Sequence, residues 1–147
     1  MSLRRLLVAS GAALALTAGL LVASVPAAPA KPSYQPWGAT RAPDKVLRGG
    51  CHKYRFHYRV DAPSSSWAAE FFLVNRRGVG IANAAVMSEA DPAKGWLRWT
   101  ICRPSTVFGR HKIRMKVTYN PKPKDPTADN VSGWVKPSFF RLKRPRR

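Results

Sequence analysis

Acidic residues are scarce. Seven Asp and Glu stand against 26 Lys and Arg in a chain of 147 residues, a formal charge of +19. Most basic side chains therefore have no carboxylate to pair with, and the field around the chain favours anionic partners. Cysteine is nearly absent: Cys51 and Cys102 are the only two, so a single intramolecular disulfide is the most the chain can form. Histidine is equally sparse, with His52, His57 and His111. His52 and His57 lie five apart and fall on opposite faces of a strand. His111 shares a face with Met115, a pair of soft-metal type, but ordinary core and surface roles suit both better. The Asp125/Asp129 loop lacks calcium-loop spacing. No G-x-S-x-G elbow, H-E-x-x-H pair or glycine-rich phosphate loop occurs, so the hydrolase and nucleotide-binding motifs are missing. The sequence predicts no metal, no cofactor and no catalysis.

What the chain does have begins with an export signal. Arg4 and Arg5 precede an uncharged run from Leu6 to Val25, and the segment ends in Ala28-Pro29-Ala30. A basic start, an apolar middle and a small-residue end form a secretory signal over residues 1–30, with cleavage between Ala30 and Lys31. The two alternatives are an uncleaved anchor, for which the run is long enough, and twin-arginine export, for which two arginines are thin support. The reading places the protein outside the cytoplasm, secreted or at the cell surface. Without the signal, 24 basic residues still face the seven acids. All 15 aromatics lie after residue 30, enough apolar bulk for a packed core. In an oxidising compartment Cys51 and Cys102 are expected to join. That bond closes a loop of about 50 residues, for which the chain-entropy account gives roughly 4 kcal/mol.

The hydrophobic period after the signal is two. Residues 31–48 hold Pro32, Pro36 and Pro43 and read as an extended lead-in, with a short strand at Lys45–Leu47. Residues 49–143 form the domain. In His52–Val60, Tyr54, Phe56, Tyr58 and Val60 share one face, while Lys53, Arg55, His57 and Arg59 share the other. Arg110–Tyr119 repeats the pattern, with Ile113, Met115, Val117 and Tyr119 against Lys112, Arg114 and Lys116. Trp67–Asn75 is apolar on nearly both sides, as in a central strand. Val79–Met87, Trp96–Arg103 and Gly133–Leu142 complete the set. Pro137 cannot donate to a ladder, so the last strand should be an edge or carry a bulge. Residues 144–147 are a basic tail. Six or seven short strands with no long helical stretch predict an all-β fold, an antiparallel β-sandwich. Alternating strand direction also brings Cys51 and Cys102 to the same end.

Cys51, then Trp67 in a hydrophobic strand, then Cys102 near the end of a later strand, resembles the Cys…Trp…Cys spacing of immunoglobulin-like domains. With the alanine-rich signal and the arginine- and proline-rich remainder, the chain resembles the small exported Ig-like proteins of high-GC Gram-positive bacteria. Two departures stand out. Thr100 occupies the position of the family's corner tyrosine. Both cysteines share parity with polar neighbours, Cys51 with Lys53 and Arg55, Cys102 with Arg98 and Thr100, so both should point away from the core. The resemblance implies the sandwich and transfers no site residues.

The functional expectation rests on charge with strand geometry. Lys53, Arg55 and Arg59 on one strand, and Arg110, Lys112, Arg114 and Lys116 on another, form the candidate polyanion-binding set. Like charges on a strand face repel unless solvated or paired. The partners this suits are an anionic cell-wall polymer, an acidic polysaccharide or nucleic acid held by non-specific charge. Trp37, Trp96 and Trp134 are candidates for a stacking platform, and Trp67 and Trp99 for the core. The rival readings are a structural or protein-interaction module whose charge is incidental, and a small wall- or sugar-active enzyme.

Overall fold

The computed structural model describes residues 33–125 and 127–146. The signal segment and the Ala30/Lys31 junction lie outside the described residues. Eight strands follow in chain order: β1 (Gly38–Arg41), β2 (Lys45–Val46), β3 (Cys51–Val60), β4 (Trp67–Val74), β5 (Gly80–Met87), β6 (Lys94–Cys102), β7 (Gly109–Tyr119) and β8 (Val131–Lys143). No α-helix occurs among the described residues, only a three-residue 3-10 turn at Arg103–Ser105. The all-β class expected from the period-two pattern is present.

The strands form two sheets. One is antiparallel, in the order β1-β3-β6, and the other runs β2-β8-β7-β4-β5. The expectation of a wholly antiparallel fold is corrected at one point, because β2 pairs with β8 in parallel. After β1 the chain passes Pro43 and crosses from one sheet to the other. Asp44 then accepts a hydrogen bond from the Arg141 N–H at 2.7 Å, and the Leu47 N–H donates to the Lys143 carbonyl at 2.9 Å. This holds Lys45–Val46 alongside the end of β8. The stretch 31–48 thus supplies two strands, one to each sheet.

Alternation decides what is buried. Tyr54, Phe56, Tyr58 and Val60 of β3 face inward with Trp99 and Ile101 of β6. Ala69, Phe71 and Leu73 of β4 meet them, with Ile113, Met115 and Val117 of β7, and Val135, Phe140 and Leu142 of β8. The two sheets lock through aromatics: Phe71 packs against Phe56 and Tyr58 with ring centroids 5.3 and 5.4 Å apart. Within the three-stranded sheet, Phe56 stacks on Trp99 at 3.8 Å. Trp99 is core, as expected; its indole N–H is buried without a partner among the described residues, a cost offset by shape and stacking. Trp67 is half-buried against the same core.

Local signals fix the connections. Asn75 Oδ1 accepts the N–H groups of Arg77 and Val79, and Gly78 supplies the positive φ of 83° that this turn requires. At Gly38 a side chain would collide with the Arg59 carbonyl and the Met115 methyl, so β1 approaches β3 only because that position is glycine. Pro137 sits where β8 slips register against β7, between the Ile113–Ser138 and Met115–Val135 pairs. The expected bulge is there.

Candidate anion-binding faces

In two sheets that share one core, the outer faces point away from each other. The candidate basic residues divide between them. Lys53, Arg55 and Arg59 lie on the outer face of the three-stranded sheet. Arg110, Lys112, Arg114 and Lys116 lie on the outer face of the five-stranded sheet. The single basic face expected from sequence is therefore two faces, because β3 and β7 belong to different sheets.

The register of β3 and β6 builds the first face. Arg55 stands opposite Arg98, His57 opposite Trp96, and Arg59 opposite Lys94. Arg41 of β1 aligns with His57. Two guanidinium groups directly across a ladder repel, and neither Arg55 nor Arg98 has a carboxylate partner among the described residues. Both lie over the Trp96 ring, with Cζ 4.3 and 4.6 Å from its centroid. Trp96 is 48% exposed. The indole sets the positions of the two arginines by cation–π attraction and leaves their N–H groups for an external anion. Arg59 differs, because its Nε donates to Asp61 at 2.8 Å. This exposed pair is weak but satisfies part of that charge.

A wide cleft continues this face toward β2. Asp44, Lys45, Val46, Arg48, His52, Lys53, Tyr54, Arg55 and Arg98 line it. Tyr54 forms its floor, donating its hydroxyl to the Val46 carbonyl and accepting the Arg48 N–H, both at 3.2 Å. Sequence reasoning missed Lys45, Arg48 and Arg98 as site residues. Arg98 was recoverable, since it shares parity with Trp96. Lys45 and Arg48 join only through the crossing of the lead-in.

The second face repeats the device. Arg110 stands opposite Arg141, and Lys112 opposite Phe139. The Arg110 guanidinium lies over Phe139 at 3.7 Å, and that of Arg114 over Trp134 at 3.9 Å. Phe72 packs against Trp134, their centroids 5.8 Å apart. Alternate positions on β7 recur about every 6.8 Å, so Arg110, Lys112, Arg114 and Lys116 form a row of about 20 Å. Glu70 faces this row opposite Lys116, without an ion-pair contact among the described residues. Asp44 binds Lys143 at 3.1 Å on the rim. The Arg141 backbone N–H and the Lys143 ammonium hold the Asp44 carboxyl below its usual range. Of the tryptophans offered for stacking, Trp96 is exposed, Trp134 is half-buried under Arg114, and Trp37 packs edge-on to Tyr119 at 5.0 Å.

The disulfide joins Cys51 to Cys102. They are directly opposed on β3 and β6, on the outward side, as their parity required. Among the described residues no three His, Cys, Asp or Glu cluster as a metal site, and no helix is long and apolar enough to cross a membrane. No known family, curated protein or solved structure matches this chain.

His111 is fully buried. Its Nδ1 donates to the Gly109 carbonyl at 3.0 Å, and its Nε2 accepts the Thr106 hydroxyl at 2.9 Å. Both bonds suit the neutral ring, and burial lowers its pKa below the ordinary 6.5. A depressed folded-state value means the fold gains stability above about pH 6.5 and loses it as pH falls below that. Urea midpoints should therefore drop between pH 7.5 and pH 5, and the drop should shrink in His111→Phe. An equal drop in both proteins would contradict this assignment.

Proposed function

We propose that this protein is an exported, non-enzymatic binding module of immunoglobulin-like β-sandwich type that holds linear anionic polymers outside the cytoplasm. Two cross-strand arginine pairs, Arg55/Arg98 and Arg110/Arg141, support this reading most strongly. Each lies beside an exposed aromatic, and none of the four guanidinium groups forms an ion pair among the described residues. Such an arrangement opposes folding unless solvent or an oxyanion screens it, and guanidinium groups fit phosphate, sulfate and carboxylate oxygens in bidentate fashion. Anionic wall polymer, acidic polysaccharide and nucleic acid share this charge chemistry. The disulfide and the signal-like N-terminus favour partners found outside the cell.

A protein-interaction role is the second reading. It is favoured by β5, an edge strand of the five-stranded sheet whose GIANAAVM sequence carries no charge to guard it. The test is a salt series with an oligothymidylate as phosphodiester probe, with heparin and poly(glycerol phosphate) run beside it to rank the sources. Affinity should fall by about 0.7 log units per log unit of salt for each phosphate contact. Replacing Arg55 and Arg98 by Ser should reduce that slope by about 1.4 at the first face. Affinity that ignores salt, or an unchanged slope, would favour the interaction reading.

A further inference from the structure

The two basic faces carry a consequence for how many polymer chains one molecule holds. Each face has its own opposed arginine pair and its own exposed aromatic, Trp96 at 48% and Phe139 at 45% exposure. The shared core of Phe56, Phe71 and Ile113 separates them. Sheets packed face to face lie about 10 Å apart, so groups bound on the outer sides stand farther apart than that, yet close on a molecular scale. One edge between the faces is formed by β2 and the end of β8. There Asp44, paired to Lys143 and to the Arg141 backbone, puts a carboxylate between the two basic surfaces.

We infer that one molecule binds two separate oxyanion-bearing chains, one on each sheet, and so cross-links them. This rests on the polyanion reading above and goes beyond it in stoichiometry and consequence. A binder with one face coats a polymer. A binder with two opposed faces gathers chains into a network, at an effective concentration set by its own thickness.

The test uses oligophosphates spanning about 20 Å, the length of the Arg110–Lys116 row. Half carry a donor dye and half an acceptor. Wild-type protein should bind two per molecule by calorimetry and give sensitised emission, because the two dyes then sit on one molecule. R55S/R98S and R110S/R141S should each bind one and bring emission to background. All four changes are at exposed positions, and circular dichroism checks that each variant folds. A heparin oligosaccharide of similar length, run in parallel, separates sulfate from phosphate as the source of the oxyanion. One oligomer per wild-type molecule without emission would overturn cross-linking, whether the chain stays on one face or wraps past Asp44, and would leave the binding module standing. No salt-sensitive binding by either oligomer would overturn both.

Discussion

Phe71→Ala should lower unfolding stability by about 3–5 kcal/mol, the cost of deleting a buried phenylalanine. Phe71 is fully buried on β4, between β5 and β7 in its own sheet. Its ring meets Phe56 and Tyr58 of the opposite sheet, so the truncation removes the contact that holds the two layers together. Domains of this size are stable by about 5–15 kcal/mol, and the variant should stand near the edge of folding at room temperature. Phe72 is the internal control. It occupies the next position, points outward and touches Trp134 on the surface. Phe72→Ala should cost much less, within about 1 kcal/mol as for most surface changes. Urea unfolding of both variants reads the difference. Equal losses, or a larger one at Phe72, would mean that β4 is placed one residue out of register.

Breaking the disulfide should have a comparable effect through the unfolded chain. Cys51 and Cys102 are 51 positions apart in sequence and directly opposed in the ladder. The Arg103 N–H donates to the Gly50 carbonyl at 2.8 Å just beyond them, so the strands are aligned whether or not sulfur joins them. Cys51 is exposed and Cys102 half-buried, so replacement by serine opens no core cavity. The loss therefore reports the cross-link itself, about 4 kcal/mol on the chain-entropy account. The C51S/C102S double variant should keep the wild-type far-ultraviolet dichroism at low temperature and unfold at a clearly lower urea concentration. A change below about 1 kcal/mol would mean that the unfolded chain is already constrained near these positions.

Much of this architecture is legible in the residues. Clean alternation in β3 and β7 gives the inward and outward sides of both strands, and the parity of Cys51 and Cys102 gives their outward direction. Pro137 gives the bulge, because a residue without an N–H cannot complete a ladder. Strand order is a different matter. Periodicity says which side of a strand is buried and nothing about which strand lies beside it, so Lys53 and Lys112 look like members of one face until the sheets are assigned. β1 was hidden for a related reason. Pro36 and Pro43 flank it and suppress the usual strand signature, while Gly38 permits a close approach that no composition rule reveals. The parallel pairing of β2 depends on long-range contacts, Asp44 to the Arg141 N–H, 97 positions away, and the Leu47 N–H to the Lys143 carbonyl. Arg98 gains its importance only from standing across from Arg55, and that is a matter of register.

The proposal to be tested is oxyanion recognition on both outer sheet faces by arginines held beside aromatic rings. Titration of isotopically labelled protein with a short oligophosphate, followed by amide and indole nuclear magnetic resonance, tests it directly. Shifts should gather at Arg55, Trp96 and Arg98 on one side and at Arg110, Phe139 and Arg141 on the other, and should fade together as salt is raised. Shifts confined to the loop between β7 and β8, or none at either arginine pair, would contradict it.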